Sequence, residues 1–558
     1  MTGGTIAVSS GLSASSPFIA SAVTAFMPLP KETIYAIARR AGTAMRGCAF
    51  SLLAGFSVAL GAPGAQAAAP VPKPSPPGPV APAPETAVVD VRAQTTPFPH
   101  FWEQMFGSGR AILSLRASYQ DDLQAVKTVT GVQWVRFHDI LDDDIGFVSA
   151  DAKGNLFYNF TEVDEIYDAL VARGVRPYVE LSFMPRAIAS SAGRHAFWYP
   201  FLPNPPKDYR QWGAVVGTLA RHLVGRYGLA EVNQWYFEVW NEPNLDFWTG
   251  KPAQSTYFQL YDAAAHAIKA EHPSLRVGGP ATAQAAWIPE FIRHCVEGKV
   301  PVDFVSTHVY GDDAPAALGP GSTGADQKDF VSLAVRRVHD QVVHSPLPHL
   351  PIIWSEYNAT YRNIPAVTDS AYMGPWLGHT ISACDGLTTL MSYWDFSDVF
   401  DEQGVRGRPF YGGYGIIAGG HIPKPAFNAF ALFHRLGTER LPVHAPWILA
   451  TRKPGGALAL AVWHYAGAQV STGPDQTFVV RLTGWTHRAP AKVEYLDDRR
   501  GSAMTLWTKL GSPVNPSFDE IKRLRAAAQL PPSTRVALQG DTLTLRLPIH
   551  GLALVELD

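Results

Sequence analysis

The sequence predicts an α/β protein: a (β/α)8 TIM barrel followed by a smaller antiparallel β-sandwich domain. Three observations carry this. Eight short apolar runs alternate with longer amphipathic stretches between about residues 87 and 437, the pattern of parallel strands joined by helices. Past about residue 440 the period changes to two, with Gly and Pro clusters between the runs, as in antiparallel sheets. The 558 residues are 46% apolar and 17% charged, which supplies a large core and excludes a disordered chain.

The elements follow in order. Arg39, Arg40 and Arg46 precede an apolar run over 48–60, and Ala65-Gln66-Ala67 ends the segment. A basic stretch, a short apolar stretch and small residues read as a secretory signal over 1–67. The apolar run is too short to span a bilayer. The expectation is therefore a periplasmic or secreted protein with no stable membrane insertion after cleavage. Residues 68–86 form a Pro-rich linker, extended and without a core. The eight apolar runs of the barrel cover 104–109, 134–138, 176–182, 236–241, 275–280, 303–310, 352–358 and 388–396. Helical stretches such as 209–227 lie between them, with Trp212, Val215, Val216, Leu219 and Leu223 on one face. Residues 438–558 form the sandwich: strands are expected over 457–463, 477–482, 542–547 and 552–557, with a helical insertion over 517–528.

Charge and cysteine content exclude some function classes. The 46 basic and 48 acidic residues leave a net charge of -2, with no basic excess to bind nucleic acid. Cys48 falls in the signal region, so Cys295 and Cys384 remain, too few for a disulfide framework. Both are expected as buried free thiols.

Barrel chemistry sits at the C-terminal ends of the strands. The fourth run leads into Asn241-Glu242-Pro243, and the seventh ends Ser355-Glu356-Tyr357-Asn358. Two carboxylates facing each other across a barrel mouth are what hydrolysis of a glycosidic bond requires: one protonates the leaving oxygen, the other attacks or supports the anomeric carbon. Pro243 pushes Glu242 out of helical geometry. Asn241 offers an amide to a sugar hydroxyl beside the reacting carbon. Asp142, Asp143 and Asp144 follow His138 and Asp139, but a consecutive acidic run lacks calcium-loop spacing, so no metal and no cofactor is expected. Arg136 is expected to pair with a barrel carboxylate. Trp463, Trp485 and Trp507 either stack on sugar or support the sandwich.

The chain resembles glycoside hydrolase family 39. The motifs are Phe98-Pro99-His100-Phe101-Trp102 leading to Phe106-Gly107-Ser108-Gly109-Arg110-Ala111, then Val135-Arg136-Phe137-His138 and Phe183-Met184-Pro185. The stretch over 235–248, Ser306-Thr307-His308-Val309-Tyr310, Ser355-Glu356-Tyr357-Asn358 and the stretch over 393–402 complete the series. The resemblance implies a retaining O-glycosidase with Glu242 as general acid/base and Glu356 as nucleophile. It implies sugar contacts from His138, Phe183, Asn241, His308, Tyr310, Trp394, Asp401 and Glu402. The family pattern has Glu-Glu where this chain has Asp401-Glu402. A retaining mechanism requires a carboxyl separation of about 5–5.5 Å and a raised pKa at Glu242, expected from the charge of Glu356. The acidic pair suits neutral hydroxyls, so the expected substrate is a xylo-oligosaccharide cut from its end by a β-xylosidase. An endo-acting exopolysaccharide hydrolase, an α-L-iduronidase-like enzyme and a non-catalytic carbohydrate-binding protein are the alternatives.

Overall fold

The computed structural model describes residues 82–193, 197–487 and 489–558. The signal region and the linker up to residue 81 lie outside the described residues. Eight parallel strands close into a barrel: β1 (Met105–Gly107), β2 (Trp134–Phe137), β3 (Arg176–Leu181), β4 (Tyr236–Val239), β5 (Arg276–Thr282), β6 (Phe304–Tyr310), β7 (Ile352–Asn358) and β8 (Leu390–Tyr393). Each pairs with the next, and β8 closes on β1. Every strand falls in or overlaps one of the eight predicted runs, because strands buried on both faces read as apolar runs.

The helices follow their amphipathic pattern. Helix Tyr209–Tyr227 starts at Asp208, whose side chain accepts from the Arg210 amide, and stops at Gly228 with φ 82°. The predicted apolar face is the buried one. Its Trp212 indole N–H donates to the Leu260 carbonyl at 3.1 Å, which fastens it to helix Ala253–Glu271.

The barrel interior is layered, as the period of two along each strand requires. Met105, Trp134, Tyr178, Tyr236, Phe304, Ile353 and Leu390 form an apolar plug near the strand starts. Phe304 fits because β5 carries Gly278; a Cβ there would lie 2.4 Å from the Phe304 carbonyl oxygen. Two residues further along their strands, Arg136, Glu180 and Glu238 make a buried charged layer. The mouth lies above it.

The antiparallel part has two sheets. One runs Thr96–Pro97, Glu439–Leu441, Ile448–Arg452, Leu458–Trp463, Leu552–Leu557, Ala491–Leu496, Thr534–Val536. The other holds Glu85–Asp90, Gln476–Thr483 and Thr542–Leu547. Leu458, Leu460 and Val462 face the second sheet. Ala459, Ala461 and Trp463, on the opposite face of the same strand, join the barrel core. Two segments assigned by sequence to the linker and the barrel therefore belong to these sheets. Glu85–Asp90 pairs in parallel with Gln476–Thr483, and Thr96–Pro97 pairs with Glu439–Leu441. The helical insertion is Phe518–Ala527, with Ser517 and Glu520 forming a capping box. Cys295 and Cys384 are free and buried. Trp463 and Trp507 are buried, which favours support over sugar stacking. No helix among the described residues is long and apolar enough to cross a membrane.

Candidate active site

The mouth is built on Arg136. Its guanidinium has no exposed surface. Nε donates to Glu238 at 2.6 Å, Nη1 to Glu356 at 2.7 Å and Nη2 to the Asn241 side-chain oxygen at 2.9 Å. Nη2 also lies 2.7 Å from Glu180. One cation thus serves three buried carboxylates and the amide before Glu242. The predicted pairing of Arg136 holds, in a wider form. Glu180 and Glu238 escaped the sequence reading, which looked only at strand ends. Their signal is an acid inside an apolar run, two residues after Tyr178 and Tyr236 and so on the same inward face.

Glu242 reaches the mouth through irregular backbone. Trp240 and Glu242 take φ values of 73° and 45°, a region costly for non-glycine residues. The Glu242 amide donates to the Ala281 carbonyl at 2.8 Å, which ties the turn to β5. Its carboxyl meets Nδ1 of His308 at 3.0 Å, and Nε2 of His308 meets Ser355 Oγ at 3.1 Å. Glu356 accepts from the Tyr310 hydroxyl at 2.6 Å through its second oxygen. One oxygen of Glu242, one of Glu356 and one ring nitrogen of His308 lie within 4.8 Å of one another.

Burial raises the pKa of Glu242 well above the carboxylate range, and the charge of Glu356 raises it further. The expectation named only the charge; desolvation is the larger cause, because the Glu242 side chain keeps 12% exposure. Burial also raises Glu356, but Arg136, His138 and the Tyr310 hydroxyl oppose it. The pair is thus split, with Glu242 the better proton holder. Burial, then the Arg136 charge, drive the His308 pKa well down and keep the ring neutral.

His138 points Nδ1 at Glu180, 2.8 Å away, which leaves Nε2 at 3.6 Å from Glu402 and 3.9 Å from Glu356. Trp394 covers its ring at 4.9 Å. Gly107 makes room for that indole; a Cβ there would sit 2.1 Å from it. Glu402 is raised well above its ordinary pKa by burial and then by the charge of Glu356. Two of the expected sugar contacts, Asp401 and Phe183, have protein partners. Asp401 faces Arg110, whose Nε is 3.4 Å from both its oxygens. Phe183 has no exposed surface; it stacks on Phe201 at 3.7 Å and backs His138 at 6.0 Å. Asp313 also escaped notice. It accepts from the Tyr310 amide at 2.8 Å, and burial pushes it to about 7.

Among the described residues, two side-chain sets bring donor atoms close enough for one ion. In Glu242, His308 and Glu356, His308 Nδ1 bonds Glu242 at 3.0 Å and lies 3.6 Å from Glu356, and Arg136 already supplies positive charge to Glu356. In His100, Glu103 and His434, at the opposite end of the barrel, Glu103 accepts from both rings at 2.8 and 2.9 Å.

A closed (β/α)8 barrel with two buried, split carboxyls at its mouth is the apparatus of a glycoside hydrolase. The family model for glycosyl hydrolases family 39 matches residues 86–541. The chain is 36% identical over 482 residues to a β-xylosidase of Geobacillus stearothermophilus, covering 83% of this chain and 93% of that one. It is 26% identical to the α-L-iduronidase of Homo sapiens over 76% of this chain and 70% of that one. A crystal structure of a monomeric β-xylosidase from Caulobacter crescentus superposes with a TM-score of 0.77 at 32% identity, covering 85% of this chain and 99% of that one. The chain belongs to glycosyl hydrolases family 39, and it is an O-glycosidase.

Proposed function

We propose that the enzyme is an exo-acting β-xylosidase that releases xylose from xylo-oligosaccharides by double displacement. The observation that carries the mechanism is the pair of carboxyl oxygens within 4.8 Å, too close for the water that an inverting enzyme places between its carboxyls. Glu356, ionised between Arg136 and Tyr310, attacks the anomeric carbon. Glu242, protonated, delivers its proton to the leaving oxygen. The covalent xylosyl-enzyme is then hydrolysed by water, with Glu242 as base. A neutral His308 that accepts from Ser355 has its Nδ1–H free to donate to Glu242, which steadies that carboxyl in both states. The Asn241 oxygen is held by Arg136, so its NH2 is the group turned to the hydroxyl beside the reacting carbon. Glu402 and His138 hold the remaining hydroxyls, with Trp394 beneath the ring.

Xylose is favoured over a uronic acid by the state of Arg110. It lies beside the Asp401–Glu402 pair and is ion-paired with both Asp144 and Asp401. A uronate would meet the carboxyl of Glu402, with the Arg110 guanidinium already paired. The relatives named β-xylosidase, at 36% and 34% identity, agree with this reading. Export to the periplasm or medium is part of the proposal and rests on the signal pattern before residue 68; cell fractionation tests it.

The deciding experiment follows wild type and Glu356→Ala on 4-nitrophenyl β-D-xylopyranoside, with NMR of the anomer first released. β-Xylose from wild type, and a loss of about a thousandfold or more in Glu356→Ala, are expected. First release of α-xylose would overturn double displacement. Inactivity of wild type on this substrate would overturn the xylose assignment.

A further inference from the structure

Beside the mouth, the loops after β6 and β7 enclose a second space of about 600 Å3, within the range of ligand clefts. Gly311, Asp312, Asp313, Gln327 and Arg362 line it from the barrel, and Gln469 lines it from the sandwich. It begins directly after Tyr310, whose hydroxyl is bonded to Glu356. The ring of Tyr361 stands 6.4 Å from that of Tyr310, nearly perpendicular to it, and is 46% exposed. We infer that this cleft receives the leaving part of a xylo-oligosaccharide, with Tyr361 as platform for the first leaving residue and Gln469 as a contact beyond it. The inference rests on the β-xylosidase reading above.

Three features support it. The cleft starts at Gly311, the residue after Tyr310. Asp313, in its wall, accepts from the Tyr310 amide and its charge acts on Glu242, the group proposed to protonate the leaving oxygen. The wall is fixed before ligand arrives. Asp312 accepts from the Thr360 hydroxyl at 2.7 Å, the Tyr361 amide at 3.0 Å and Arg362 Nε at 2.7 Å. That clamps the loop after β7 to the loop after β6, so little ordering remains to oppose binding. The chemistry suits a neutral polyol: carboxylates and amides accept hydroxyl donors, and a tyrosine face takes the apolar side of a sugar ring. The acids Asp312, Asp313 and Asp326 in the same wall disfavour an anionic ligand. Gln469 gives the sandwich a part in substrate binding besides support.

The test measures kcat/KM on xylobiose, xylotriose and xylotetraose with the full chain. Xylotetraose is expected to exceed xylobiose about fivefold, the worth of one added hydrogen bond. Gln469→Ala, at an exposed position, should bring that ratio toward one with an unchanged melting temperature. Tyr361→Ala should lower kcat/KM on all three about five- to tenfold. A wild-type enzyme that cleaves xylobiose but shows no rise with chain length overturns the inference and leaves the function standing. A rise that Gln469→Ala does not touch also overturns it. Failure to cleave any xylo-oligosaccharide removes the function and the inference together.

Discussion

Burial raises several carboxyls near the mouth above the usual range, Glu242, Asp313 and Glu402 among them, and a pH profile alone would not assign them. Glu242 is raised by burial and by Glu356, and Asp313 is pushed to about 7 by burial. In the proposed mechanism the first step needs Glu242 protonated, so kcat/KM should fall as pH rises through its pKa and fall at low pH as Glu356 takes a proton. Glu242→Ala, on a xyloside with a good leaving group, should lose the alkaline limb. Asp313→Asn should keep it. Persistence of the limb in Glu242→Ala would assign the acid elsewhere. Arg136 belongs to the same scale. Removing one member of a buried ion cluster leaves the others uncompensated. Arg136→Met should destabilise the fold by about 3–5 kcal/mol, measured by urea unfolding. A smaller change would mean that water enters the layer to solvate Glu180 and Glu238.

Strand ends and their following loops hold these residues in place. Trp394 leaves β8 and crosses onto β1, where only Gly107 admits it. Gly107→Ala should cost about 1–3 kcal/mol of stability and raise KM, because the displaced indole no longer lies over His138. Unaltered KM and melting temperature would show that the indole shifts without consequence. The loop after β8 has a second anchor in Lys424, fully buried and 2.8 Å from both Asp369 and Asp398. That cation fixes the start of the segment that ends at Glu402. How much of this was legible varies by element. The ends of β4 and β7 were, since an acid following an apolar run is a local signal. The diversion of Asp401 was not, since Arg110 lies 291 positions away and local pattern carries no information at that range.

The whole molecule is a barrel that does not close its core alone. Strand Leu458–Trp463 is buried on both faces. Its Trp463 lies against Gly378, where an added Cβ would come within 2.8 Å of the indole. Helix Met373–Cys384, which carries Gly378, is buried along most of its length. We propose the sandwich as structural support, so a chain ending at residue 437 should be insoluble on expression. A soluble, active truncation would contradict this and confine the sandwich to the cleft beside Tyr361.

The sequence by itself determined the eight strands, the change of period near residue 440 and the two carboxyls at the mouth. Each is a local pattern: spacing, composition or an acid at a strand end. Only the tertiary structure decided what those patterns meet. Glu85 pairs with Phe478 across the chain. Arg136 gathers acids from β3, β4 and β7. Burial, more than charge, sets the pKa of Glu242. These depend on the closing of the barrel and the docking of the sheets on it, because desolvation and long-range pairing arise only when distant segments exclude water from the same space.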